Sequence, residues 1–409
     1  MVVSKNNTFS KIEFMRTANS LLALLFFLFI HFNLNGQHQW PLKEWPVSTP
    51  QSQSMNSDSL QAFDDAIAGG KYGNVDGIII TRHGKLLFQK TYKHDYDKIY
   101  GDSARKRSGL NPHDPGGPYN YYNPWWHPYY RRGDLHSLQS VTKTITSVII
   151  GVATARKEFP DLSATVLSFF DTTQVKNRDD RKRRMTIRHL LTMTAGFDWD
   201  EGFHYSDPRN DCSVMEASFD WIQYVIDKPM ALEPGQSFNY NSGGSQLLSY
   251  IFRKATGKDI EEYASQYLFS PLGINQYFWK RIPTGLVDTE GGLYLAAIDL
   301  AKIYYLFLKE GNWNGKQLVT REWVKASVTP AINVGRGVNY GYKWWLYEYG
   351  TDNSKYAWTG SGFGGQWPII IPEYDIVAVF TGWNIIGGNP SLRITEAIRR
   401  LVNAVTDKK

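Results

Sequence analysis

Only one cysteine occurs in 409 residues, Cys212, so no intramolecular disulfide can form and the fold must rest on its core. Cys212 sits in a polar stretch (Asn210, Asp211, Ser213) with no evident helix start, which reads as an incidental thiol. The nine histidines lack H-E-x-x-H or H-x-H spacing, so neither a catalytic metal nor another cofactor is expected. His136 and His189 accordingly read as structural. No G-x-S-x-G occurs, which disfavours a nucleophile elbow. Residues 360–365 do satisfy G-x-G-x-x-G, but a strand rather than a helix follows, so the dinucleotide reading fails. No apolar run approaches the roughly 20 residues needed to span a bilayer. The longest, Leu21–Ile30, follows Lys5, Lys11 and Arg16 and precedes small and polar residues at Asn33–Gly36. It reads as a secretory signal over 1–36, which implies export to the periplasm or beyond and no stable span after its removal; an uncleaved anchor is the alternative.

Charge of one sign is also scarce. Of the formal +6, residues 1–36 carry +2 (Lys5, Lys11 and Arg16 against Glu13), leaving +4 on 37–409. The densest basic cluster, Lys176–Arg184, contains Asp179 and Asp180 and precedes an apolar helix. A solvated loop explains it better than a nucleic-acid surface. Aromatic residues, by contrast, make up 15% of the chain, enough to line a cleft as well as fill a core.

Periodicity predicts a short helix over Leu60–Ala68 and a β-hairpin over Gly77–Tyr92, turning at His83-Gly84. Asn111–Tyr130 is too rich in Pro, Gly and Tyr for regular structure and reads as an ordered flap. Ser140–Arg156 is a helix with one buried stripe of Ile145, Val148, Ile149 and Val152. The middle is helical to about Trp279, and Gly291–Gly311 reads as a further helix. Strands are predicted over Tyr340–Tyr347, Ala357–Thr359, Gln366–Ile371 and Ile376–Thr381, then a helix from about Pro390 to Val405. The simplest architecture is α/β (α+β): an antiparallel sheet built from both chain ends (37–160 and 285–409), flanked by helices, with an all-helical insert (161–284) and a cleft between.

The chemistry concentrates at Ser140-Val141-Thr142-Lys143. A serine hydroxyl needs a base, and three residues along a helix a lysine lies on the same face. Ser103-Ala104-Arg105-Lys106 has the same spacing, but no apolar stripe follows it. A serine at a helix start can equally be a cap. Two further segments bear on the choice. Pro234–Gly244 places Tyr240 between turn residues and a helix, where a phenol beside an ammonium can act as base. Trp358–Gly365 ends a strand in a Gly-rich turn, where a backbone N–H can approach an oxyanion.

S-x-x-K with partner motifs in this order resembles the penicillin-recognising superfamily, and the chain is similar to its class C β-lactamase branch with the related esterases and D-alanyl carboxypeptidases. The resemblance runs over about 55–405 and includes Leu138–Thr144, Thr186–Gly196, Pro234–Gly244, Gly291-Gly292-Leu293 with Asp299-Leu300-Ala301, and Gly360–Pro372. It implies a β-lactamase/transpeptidase-like fold and acylation of Ser140. It also implies base duty shared by Lys143 and Tyr240, and an oxyanion site at the Ser140 and Ser361 N–H groups, with Gly360 beside it.

Two departures bear on substrate. Trp358 stands where the family has the lysine of K-T-G, and an indole cannot pair with a substrate carboxylate. Ser242 stands at the Asn of Y-x-N, with Asn241 adjacent; this Tyr-x-Ser is similar to 6-aminohexanoate-oligomer hydrolases and allied esterases. The expectation is a small neutral ester, amide or short peptide substrate, contacted by Trp358, Ser242 and Asn241, and poor β-lactamase activity. A peptidase of D-amino-acid peptides and a catalytically silent binding protein are the rival readings.

Overall fold

The strand from Val75 to Arg82 (β1) is buried at every position, because a neighbour covers each edge and a helical layer each face. The computed structural model describes residues 40–111, 116–127, 134–350, 355–387 and 390–408; the predicted signal over 1–36 and parts of the predicted flap lie outside them. The other strands of the main sheet are Lys85–Thr91 (β2), Ile332–Gly335 (β3), Val338–Tyr340 (β4), Trp345–Tyr349 (β5), Lys355–Thr359 (β6), Trp367–Ile371 (β7) and Ile376–Gly382 (β8). They form one antiparallel sheet in the order β2-β1-β8-β7-β6-β5-β4-β3. The β1–β8 pairing, Ile79 opposite Val379 and Arg82 opposite Ile376, joins the two ends of the chain in one sheet, as the sequence implies. β1 turns into β2 at His83-Gly84, both with positive φ, which suits the right-handed twist of a hairpin.

On one face, Ile78, Ile80, Ile369, Ile371, Ala378 and Phe380 pack with Leu60, Phe63 and Ile67 of helix Ser57–Ala68 and Ile398 and Leu401 of helix Ile394–Ala404. Helix Ala297–Leu308 packs across β1, β7 and β8. The stretch 161–284 carries short helices, the longer helix Ser242–Thr256 and one short strand, Phe278–Trp279. Residues 41–409 form one compact unit.

Three predictions change in detail. Helix Val141–Ala155 is enclosed on almost every side rather than along one stripe. Two of its buried threonines find partners: Thr144 Oγ1 donates to Lys343 O (2.8 Å), and Thr142 Oγ1 accepts from Leu293 N (3.1 Å). The predicted helix over 291–311 begins only at Ala297, because Leu293–Ala296 pairs with Leu135–Ser137 and Phe278–Trp279 in a small sheet. The predicted strand Tyr340–Tyr347 is broken between β4 and β5. There Lys343 has φ 64°, and a Cβ on Gly341 would lie 1.9 Å from Ser327 O, so only glycine fits.

Candidate active site

The small sheet aims the nucleophile. Leu138 N bonds to Leu293 O (2.9 Å), Gln139 takes φ 49°, and Ser140 follows at φ −61° to open helix Val141–Ala155. The Ser140 side chain makes no capping bond, so the capping alternative does not hold. One helical turn on, Lys143 Nζ donates to Ser140 Oγ at 2.8 Å. Tyr240, half-buried ahead of helix Ser242–Thr256, lies with its ring centroid 5.3 Å from Lys143 Nζ, near enough to Ser140 for the serine hydroxyl to favour its phenolate form. The three distant groups singled out in the sequence therefore meet.

Lys143 is 1% exposed, and its three ammonium protons have three acceptors. Beside Ser140 Oγ these are Glu290 O (2.6 Å) and Glu290 Oε2 (3.1 Å). Burial disfavours the charged amine, but Tyr240 and Glu290 outweigh it and hold the pKa above the ordinary lysine range. Burial also raises the Tyr240 pKa, against the pull of the Lys143 charge. In this arrangement Lys143 donates to the serine oxygen, so the serine proton is directed to the phenol oxygen.

Gly360-Ser361-Gly362 closes the other side. A Cβ on Gly360 would lie 2.5 Å from Tyr304 Oη and 3.2 Å from the Val141 methyls; one on Gly362 would lie 2.4 Å from Leu138 O. The glycines thus bracket Ser361 against the residues flanking Ser140. Among the described residues neither the Ser140 nor the Ser361 N–H has an acceptor, as an oxyanion site requires. Trp358 pairs with Leu346 and Ile370 in the sheet and is half-buried, on the face opposite Ala357.

Two residues expected at the substrate make bonds within the protein. Asn241 Oδ1 accepts from Gly244 N (2.6 Å), capping helix Ser242–Thr256. Ser242 is fully buried, and its N–H and hydroxyl both donate to Glu201, at 2.8 and 2.7 Å. Trp199 Nε1 (2.9 Å) and Tyr205 OH (2.8 Å) complete the shell of Glu201. Asn241 Oδ1 and the Ser242 hydroxyl are both taken up in shaping the turn that carries Tyr240. His136 bonds to Asp76 Oδ2 (3.0 Å), and His189 completes a capping box with Thr186; both are structural roles.

Sequence reasoning missed Glu201, Glu216 and Glu290, and it misread Cys212. A cavity of about 20 Å³ beside Ser140 is lined by Tyr121, Tyr205, Cys212, Glu216, Glu290 and Phe363 among others. Cys212 is buried near the start of helix Asp211–Ala217, not in a loose polar stretch. Cys212, Glu216 and Glu290 bring thiol and carboxylate atoms within 4.8 Å of one another. Glu290 is already engaged by Lys143 and Glu216 by Tyr121, so the set is a proton-sharing network before it is a set of metal ligands. One signal was available: Glu290 immediately precedes the family-like Gly291-Gly292.

A serine with a lysine on its oxygen and a tyrosine beside that lysine, facing a glycine-lined strand of a two-ended antiparallel sheet, defines the serine-hydrolase class built on this fold. The family model described as Beta-lactamase matches residues 77–382, and the chain belongs to that family. It is 24% identical to the 6-aminohexanoate-dimer hydrolase of Paenarthrobacter ureafaciens over 279 residues, 61% of this chain and 68% of that one. It is 29% identical to the monacolin J acid methylbutanoyltransferase of Aspergillus terreus over 157 residues, 35% of this chain and 37% of that one. Among solved structures, EstCE1, a hydrolase with promiscuous acyltransferase activity, superposes with TM-score 0.62 at 15% identity, over 85% of this chain and 98% of that one. That likeness is one of fold.

Proposed function

We propose that the protein is an exported serine hydrolase that cleaves a neutral ester or amide through an acyl-enzyme on Ser140, and that it is a poor β-lactamase. The observation that carries this reading is the convergence of Lys143 Nζ, 2.8 Å from Ser140 Oγ, with the Tyr240 ring 5.3 Å from that same amine. The reactive form pairs a Tyr240 phenolate with the Lys143 ammonium, and its population grows as pH rises through the acid limb. Ser140 Oγ attacks the carbonyl carbon while its proton passes to the Tyr240 oxygen. The tetrahedral oxyanion takes the Ser140 and Ser361 N–H groups. Collapse expels the alcohol or amine, which leaves with the proton from Tyr240. Water then attacks the ester, giving a proton to Tyr240, and Ser140 recovers its own as the acid departs.

Trp358 supports a neutral substrate, because no cation stands at that sheet position to hold a carboxylate. The basic residues before Leu21–Ile30 support export. Ser140→Ala should abolish p-nitrophenyl ester turnover and labelling by a serine-reactive phosphonate. Tyr240→Phe should lower kcat by roughly 10²–10⁴. Full turnover in Ser140→Ala would refute the assignment.

A further inference from the structure

The three acceptors around Lys143 leave open what keeps that amine charged inside the protein. Two of them belong to Glu290, and a Glu290 carboxylate oxygen lies within 4.8 Å of one from a second buried carboxyl, Glu216. Each of the two residues is 4% exposed. Tyr121, from the aromatic segment 116–127, donates its hydroxyl to Glu216 Oε1. Two carboxyl groups this close and out of reach of bulk water do not both ionise, since their like charges cannot be screened there.

The groups facing the pair decide which one holds the proton. Lys143 faces Glu290 from the nucleophile helix, and Glu201 and Tyr240 also act on Lys143. Cys212 lies one turn before Glu216 on the same helix. Buried Lys280 sits 3.6 Å from Asp288 Oδ2, 3.4 Å from the Tyr121 hydroxyl and 4.1 Å from the Tyr119 ring centroid. Asp288 accepts from Glu290 N (3.1 Å), Gly291 N (2.9 Å) and the Tyr119 hydroxyl (3.2 Å), the pattern of an ionised carboxylate. With one proton on the pair, the charges of Lys143 and Lys280 match those of Glu290 and Asp288. With none, one more negative charge stands beside Lys143 and Tyr240.

We infer that Glu216 and Glu290 share one proton, held on Glu216, and that the pair acts as a positioning device that fixes Lys143 as an ammonium and thereby sets the pH at which Tyr240 becomes the base. The inference rests on the reading of Ser140, Lys143 and Tyr240 above. Burial, reinforced by Glu290, pushes the Glu216 pKa well above the carboxylate range. Burial would raise Glu290 too, but Lys143 and the neighbouring Glu216 carboxyl bring it below. The negative charge of Glu290 also makes the Tyr240 proton harder to remove.

The test is the pH profile of kcat/KM for p-nitrophenyl acetate hydrolysis by full-length wild type, Glu290→Gln, Glu290→Asp and Glu216→Gln. Removing the Glu290 charge should move the acid limb to lower pH by about one unit or more, the scale of an adjacent charge. It should also lower kcat at least tenfold with a smaller change in KM, because Lys143 loses an ionised acceptor. Glu290→Asp, which keeps the charge, should return the limb to the wild-type pH. Glu216→Gln should leave the limb in place, since that side chain is already uncharged. A limb that moves equally in Glu216→Gln, or in neither variant, overturns the inference. Infrared difference spectra read the proton without turnover, so they serve even if one variant is inactive. A protonated-carboxyl C=O band should be present in wild type at neutral pH and missing from Glu216→Gln, and its absence from wild type overturns the inference. Ser140→Ala separates the two levels. If that variant still turns over, the function itself is wrong; if it is dead while the Glu290→Gln limb stays put, only the carboxyl pair is.

Discussion

Glu201 offers a test in which hydrogen-bond pattern and charge make opposite forecasts. Its two oxygens are not equivalent. Oε2 accepts from the Ser242 backbone N–H and the Trp199 indole N–H, which can only donate. Oε1 accepts from the Ser242 and Tyr205 hydroxyls, which can rotate and accept instead. In Glu201→Gln the amide oxygen can take the first position and the amide nitrogen can donate to the two hydroxyls, so all four contacts survive. In Glu201→Ala the two N–H donors lose their acceptor in a buried site, at about 1–3 kcal/mol each, or roughly 2–6 kcal/mol together. The expected ranking in urea denaturation is therefore wild type, then Glu201→Gln within about 1.5 kcal/mol, then Glu201→Ala far below. Because Ser242 opens the helix just after Tyr240, kcat on a p-nitrophenyl ester should fall with Glu201→Ala and largely survive in Glu201→Gln. Equal destabilisation by the two variants would refute the reasoning, since the charge would then matter and the split of donors would not. A loss under about 1 kcal/mol in Glu201→Ala would refute it from the other side.

Two further predictions follow from close contacts. Lys343 is buried, and among the described residues its amine donates to Ser245 Oγ (2.9 Å) and Met193 Sδ (3.3 Å) alone, so burial, reinforced by the Lys143 charge, pushes its pKa well below the lysine range. The unfolded chain then binds a proton that the folded one does not, and stability rises with pH until the ordinary lysine pKa of ~10.4 is passed. Lys343→Met should accordingly stabilise the protein by about 1–3 kcal/mol at pH 7 and by less at pH 10 in urea melts, and a less stable variant at pH 7 would contradict this. Gly360→Ala places a methyl 2.5 Å from Tyr304 Oη and should push Ser361 away from Ser140, lowering ester kcat by about 10²–10³ as for a lost oxyanion donor; an unchanged kcat would show that Ser361 does not serve there.

The elements that were legible in the sequence are those whose cause is local. The His83-Gly84 hairpin announces itself by its turn residues, and strands β7 and β8 by continuous apolar runs. Ser140 and Lys143 are legible because their spacing is one helical turn, and Tyr240 because turn residues and a helix frame it. Where an assignment failed, a tertiary partner overrode the local pattern. Leu293–Ala296 looks helical until Leu135–Ser137 is beside it to pair with.

The buried ionisable groups were illegible for a stronger reason. Glu201, Glu216, Glu290, Lys280 and Lys343 are ordinary surface residue types, and nothing beside them in the chain shows that they are inside. An ionised side chain is tolerated there only when its partners arrive with it. Those partners come from elsewhere: Ser242 lies 41 positions from Glu201, Tyr121 lies 95 from Glu216, and Lys143 lies 147 from Glu290. The S-x-x-K spacing can place an amine against a hydroxyl, but it cannot say whether that amine is a base or a cation. That depends on Glu290, which the short sheet holding Leu293 against Leu138 carries to within 3.1 Å of the lysine. The motif is thus local, and the protonation state that makes it reactive is a property of the assembled core.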